Sequence, residues 1–184
     1  MILRKIRSFF RNQAGFYSLI EIIATLAISG IISLGALMAN SQVITQTVKN
    51  NDYITANRQV LNAIRWISLD AQMAQSIEGY YIDQDNRGFP IDSNLTLSWT
   101  TWDNQSNQAV YSVENGQLRR SYTVGEDPSQ ELLIAQYVSI DPASSNCTWN
   151  NGVLTLTITG SVGEGSRVVN ITKEKTIVSR PLIK

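Results

Sequence analysis

An α+β fold is predicted for this chain: a long N-terminal helix that spans a membrane and continues into an amphipathic helix packed on an antiparallel β-sheet. Three observations predict it. Residues Phe16 to Ala39 form an apolar run of 24 positions whose one charge is Glu21. From Asn40 the chain turns polar but keeps helical periodicity, with Val60, Ile64, Ile67, Ala71, Ala74 and Ile77 recurring at spacings of 4, 3, 4, 3 and 3. After Gly79 the texture changes to short runs rich in Thr, Val, Tyr and Trp, separated by Asn, Gly, Asp and Pro, which is the pattern of antiparallel strands.

As a helix, the apolar run would be roughly 36 Å long at about 1.5 Å per residue. That suffices to cross a hydrocarbon core of about 30 Å. Arg4, Lys5, Arg7 and Arg11 precede the run, and no basic residue follows until Lys49. The positive-inside bias therefore expects the N-terminus in the cytoplasm, a single pass through the cytoplasmic membrane, and an extracytoplasmic body. A secretory signal has an apolar region of only about 7 to 15 residues, shorter than this one.

The formal net charge of zero conceals an asymmetry, because the four basic residues of the leader have no acid among them. The remainder carries 11 basic and 15 acidic residues, a net charge of −4. Nucleic acid is not indicated as a partner, since its electrostatic footprint requires clustered Lys and Arg. With no histidine and the single cysteine Cys147, neither a His-based acid/base site nor a Cys/His metal site can be built. No cofactor, metal or catalytic residue is expected, and the chain is not read as an enzyme. Cys147 is expected to be a small buried apolar residue, with an intermolecular bridge as the alternative.

The junction between leader and apolar run reads Gln13-Ala14-Gly15-Phe16-Tyr17-Ser18-Leu19-Ile20-Glu21. Here the chain resembles a type IV pilin-like prepilin. The resemblance implies that prepilin peptidase cuts after Gly15, that Phe16 becomes the N-methylated terminus, and that Glu21 is the acidic residue used in assembly. It also implies other pilin or pseudopilin subunits, an inner-membrane assembly platform and membrane lipid as partners. One departure stands out: the usual pattern is Gly-Phe-Thr-Leu-Ile-Glu, and this chain has one residue more between Gly15 and Glu21. Physics asks for a partner to Glu21 independently, because an ionised side chain within lipid costs several kcal/mol unless paired, protonated or near the interface. A tolerated carboxylate at the membrane edge is the alternative.

The resulting organisation is a leader over 1–15, a membrane and assembly helix over 16–39, an amphipathic helix over 40–78, and a sheet domain over 79–184. The weakest helical stretch, Lys49-Asn50-Asn51-Asp52, is the expected bend. Leu95, Leu97 and Trp99 alternate with polar residues on one strand. Ala109 to Glu114 and Gln117 to Val124 flank Asn115-Gly116, a pair suited to a type I′ hairpin. Further strands are expected at Leu132 to Ile140, Val153 to Thr159 and Arg167 to Ser179. The succession of Asp70-Ala71-Gln72-Met73-Ala74 and Tyr111-Ser112-Val113-Glu114-Asn115-Gly116-Gln117-Leu118-Arg119-Arg120 further resembles minor pilins of the PilW type and minor pseudopilins of type II secretion.

Asp83, Asp85 and Asp92 superficially suggest a calcium loop, but Arg87 intrudes and no glutamate follows at the required spacing, so a solvated turn is expected. Glu126-Asp127-Pro128 and Gly163-Glu164-Gly165 read as exposed turns. Trp66 and Trp99 are expected to pack between helix and sheet, whereas Trp102 and Trp149 leave an aromatic ligand surface open. The expected function is a structural subunit, minor rather than major, of a type IV pilus or type II secretion pseudopilus. The alternative is a filament-tip or membrane-anchored binding protein for adhesion or DNA uptake.

Overall fold

A computed structural model describes residues 2–78, 94–141, 143–150 and 152–179, the side chains of 2–17 and Ser166 excepted. The chain divides into two units, Met1–Val48 and Lys49–Lys184. One helix, α1 (Ile2–Met73), contributes to both, and its backbone stays helical through the expected bend at residues 49–52.

In the first unit α1 is apolar and its described side chains are exposed all round, from Leu19 and Ile20 to Leu37 and Met38. This stretch is long and apolar enough to cross a membrane. A hydroxyl in such a segment needs a local acceptor, because an unpaired polar group is costly away from water. Thr25 donates to the Ile22 carbonyl at 2.8 Å, Ser41 to Met38 at 2.9 Å and Thr45 to Ser41 at 2.9 Å. Thr47 donates to Val43 at 2.8 Å. These four hydroxyls are thus satisfied within their own helix.

In the second unit the amphipathic part of α1 packs on antiparallel sheet. The strands are β1 (Ser76–Glu78), β2 (Leu95–Thr100), β3 (Ser106–Glu114), β4 (Gln117–Val124), β5 (Gln130–Ala135), β6 (Asn146–Asn150), β7 (Val153–Val162) and β8 (Val169–Val178). They form two sheets, ordered β1-β2-β3-β4-β5 and β6-β7-β8, with every neighbouring pair antiparallel. Val60, Ala63, Ile64, Ile67 and Ala71 of α1, with Ala74 just past its end, are buried in one core with Leu95, Leu97, Trp99, Leu118, Leu154, Leu156 and Ile158. The helical stripe ends earlier than its spacing suggests: α1 stops at Met73, and Ile77 lies in β1 opposite Leu97.

The hairpin at Asn115-Gly116 forms as expected, with φ of 50° and 73° at its two corner residues, values that Asn and Gly tolerate best. The strand expected over Leu132 to Ile140 ends at Ala135 instead. Tyr137 takes φ of 61°, which breaks the extended run, and Val138 then forms a bridge to Gly160 of the other sheet. Ser139 N–H donates to the Thr159 carbonyl and Ser161 N–H to that of Tyr137, each at 2.8 Å, so this segment ties the sheets together. The last expected strand starts late, because a 3₁₀ turn occupies Gly165–Arg167 and β8 begins at Val169.

At this seam helix and strand approach closely. A Cβ added to Gly160 would lie 2.8 Å from a methyl carbon of Val60 and 3.3 Å from the Ala56 carbonyl oxygen. Gly160→Ala is expected to lower the unfolding free energy by about 1–3 kcal/mol through overpacking. Adding Val60→Ala removes the nearest atom, so the double variant should lose less than the two single losses combined. Strictly additive losses in denaturant unfolding would refute this contact as the cause.

Candidate functional site

The sequence motif occupies α1 in the first unit. Gly15, Phe16 and Glu21 all have helical backbone; Glu21 is exposed, while the side chain of Phe16 is outside the described set. Helical geometry separates positions 16 and 21 by about 7.5 Å along the axis and by about 140° around it. A spacing of four residues would bring two positions within about 40° of each other. The additional residue therefore places Glu21 on a different face from the terminus that cleavage after Gly15 would create.

In the second unit the fold brings together three residues that local sequence patterns do not pair. Asp70, from the end of α1, is 2% exposed. It accepts hydrogen bonds from both sides of the Arg120 guanidinium on β4: Nε to Oδ2 at 2.7 Å and Nη2 to Oδ1 at 3.0 Å. The Tyr111 hydroxyl on β3 donates to the same Oδ2 at 2.5 Å. Register explains the meeting, since Tyr111 lies directly opposite Arg120. The signal for this site was a carboxylate on the apolar stripe, three residues after Ile67 and four before Ala74.

The pair is further enclosed by aromatic rings. The Arg120 guanidinium carbon lies 4.4 Å from the Tyr122 ring centroid and 5.3 Å from that of Trp66. Tyr122 stacks on Trp99 at 6.0 Å and donates its hydroxyl to Asn107 at 2.5 Å. Burial acts to lower the Arg120 pKa, but the hydrogen bonds and charge of Asp70 outweigh it and raise the pKa above its ordinary value. Burial, then the charge of Asp70, pushes the Tyr111 phenol well above its usual range. A guanidinium and phenol held fully protonated are suited to fixing helix against sheet, not to exchanging protons near neutral pH.

Trp66 and Trp149 are partly buried against the core, and Trp99 is buried, so packing accounts for these three. Trp102 differs: its side chain is 97% exposed in the turn between β2 and β3. Thr101 N–H donates to Gln105 O at 2.9 Å and Asn104 N–H to Thr101 O at 3.0 Å, which closes that turn. The Thr101 hydroxyl donates to Asp103 and holds its carboxyl below the usual range. Glu126, Asp127 and Glu164 are exposed in turns. Asp83, Asp85 and Asp92 lie outside the described residues. Among the described residues no group of three or more His, Cys, Asp or Glu is placed to hold a metal ion.

Cys147, on β6, is 5% exposed, and burial pushes its thiol up from 9.0 to about 12. The attacking species is the thiolate, so a disulfide-exchange reagent should label Cys147 only after unfolding. The raised pKa means that the folded state favours the protonated thiol. Its contribution is fully present below about pH 9 and is lost as pH rises towards about 12. The denaturation midpoint should fall over that window, and fall less in Cys147→Ala. Rapid labelling of the native chain at pH 7 would refute the buried placement.

No protein-family model, curated protein or solved structure matches the chain.

Proposed function

We propose that the chain is a structural subunit, minor rather than major, of a type IV pilus or type II secretion pseudopilus. The observation that carries this reading is the combination held by one helix. A basic leader meets Gly15-Phe16 and Glu21, an apolar stretch of membrane-spanning length follows, and the same helix then packs on an antiparallel sheet. In this proposal prepilin peptidase cuts after Gly15 on the cytoplasmic side, Phe16 is N-methylated, and the sheet-bearing unit lies outside the membrane. The new amine on Phe16 supplies a positive charge that a neighbouring subunit's Glu21 lacks within lipid. Their approach relieves the desolvation cost of both groups, and so favours helix bundling in a filament over the isolated subunit.

The mature N-terminus tests the reading. Mass spectrometry of the membrane- or filament-associated protein should show a methylated Phe16, and Gly15→Leu should accumulate as uncut precursor. Normal processing of Gly15→Leu, or an intact Met1 on the assembled protein, would overturn it. A second reading, a binding protein at a filament tip or on the membrane, is favoured by the single observation of Trp102 standing free of the fold. It would require the chain to bind a ligand through that turn.

A further inference from the structure

Two surfaces of the second unit complement each other. The first is the end of the five-stranded sheet that carries Trp102. The β2–β3 turn (residues 101–105) and the β4–β5 turn (residues 125–129) lie at that end, because Thr100 pairs with Ser106 and Gly125 N–H donates to the Ser106 carbonyl at 2.7 Å. One turn presents Trp102 and Asp103, the other Glu126 and Asp127; neither contains a basic residue. The last turn of α1 contains none either. Gln75, just after α1, bonds the backbone of Thr100, which brings that helix end beside the first turn.

The second surface is the outward face of α1 in the same unit. Arg58, Leu61, Arg65 and Leu69 recur at spacings of 3, 4 and 4 and are exposed, the two leucines at 49% and 48%. The arginines are the only charges from Tyr53 to Leu69. Arg58 and Arg65 are seven residues apart, about 10.5 Å along a helix. The two acidic turns are separated by two strand spacings, about 9.6 Å. Spacing, sign of charge and apolar content therefore agree.

We infer that this acidic, Trp102-bearing sheet end docks on the Arg58-Leu61-Arg65-Leu69 face of a second copy of the chain. The inference rests on the filament-subunit reading for its setting. Trp102 lies across Leu61 or Leu69 and is flanked by a guanidinium, which its ring face attracts, while each acidic turn faces one arginine. The contact is heterologous, using different surfaces on the two copies, so each copy keeps one of the two surfaces free for a further neighbour.

Photocrosslinking of the full-length chain in its membrane tests this. With a benzophenone amino acid at Gln105, adducts should map to residues 54–69 of a second copy. Arg58→Glu with Arg65→Glu should reduce them about fivefold or more, because like charges then oppose each other. Adding Asp103→Lys and Glu126→Lys to the same chain should restore them. Restoration excludes simple misfolding of the reversed variant. Adducts to lipid, to another protein or to another region of the chain would overturn the docking, as would a yield unchanged by charge reversal. Sequencing the N-terminus of the same sample keeps the readings apart: methylated Phe16 without these adducts refutes the docking and leaves the subunit reading intact.

Discussion

Arg120→Leu is expected to destabilise the sheet-bearing unit by about 3–5 kcal/mol, because it leaves the buried Asp70 carboxylate without its counter-charge. The side chains of Arg120 and Asp70 are 11% and 3% exposed, so solvent cannot replace the lost partner. The loss measures an abandoned charge, not the net worth of the pair, and a triple variant separates the two. Replacing Asp70 and Arg120 together by leucine, with Tyr111→Phe to remove the hydroxyl that would lose its acceptor, should recover most of the stability. Arg120→Lys should remain impaired, since an ammonium cannot reproduce the two-point bond or the flat contact with Tyr122. Urea unfolding followed by tryptophan fluorescence reports this directly, with Trp66 and Trp99 beside the site. A loss below about 1 kcal/mol for Arg120→Leu would place the pair in the weak class of solvated surface bridges.

On the proposed subunit reading, Glu21→Ala is expected to be cut normally yet to enter filaments at about a tenth of the wild-type level or less, since an unpaired lipid-embedded carboxylate costs several kcal/mol. Cleavage is spared because Glu21 lies beyond the bond after Gly15. The offset of about 140° between positions 16 and 21 sharpens the test. If pairing needs the common spacing, deletion of Tyr17 or Ser18 should preserve or raise incorporation. If the partners are adapted to the longer spacing, the deletion should abolish it. Wild-type incorporation of Glu21→Ala would remove charge pairing from the assembly mechanism.

Local chemistry made much of this architecture legible. The 3.6-residue stripe from Val60 to Ala74 and the Asn115-Gly116 corner are each specified by residues close in sequence, and both form as expected. Errors arose where one pattern fitted two structures. Ile77 continues the helical spacing from Ala74, yet two residues suffice to turn the chain into β1. Asn146–Asn150 is short and bounded by asparagines, so β6 carried no strong signal. The alternation beyond Ala135 concealed the positive φ of Tyr137 and the transfer of Val138 to another sheet. A division into two sheets depends on long-range register, which local preference does not encode. The Gly15-to-Glu21 motif was readable because its spacing is local; the Asp70–Arg120–Tyr111 site needed three separate elements to be brought together.

The outer strands also constrain how copies of this chain associate. In β8, Lys173, Lys175 and Ile177 pair with Ile158, Leu156 and Leu154, so the two lysines stand on the core-facing side of the sheet at its uncovered margin. Inward charges of this kind prevent another strand from adding there. At β5 the helix intervenes: Asn62 donates to the Ile134 carbonyl at 3.4 Å and Gln59 accepts from Gln136 N–H at 2.9 Å. Backbone ladders between copies are thereby disfavoured at β8 and β5, two of the four sheet edges, and a fibre of folded copies would join through side chains and helices at those margins. Such a fibre should lack the cross-β meridional reflection near 4.7 Å, fail to bind amyloid dyes, and dissociate in detergents that leave the sheets folded.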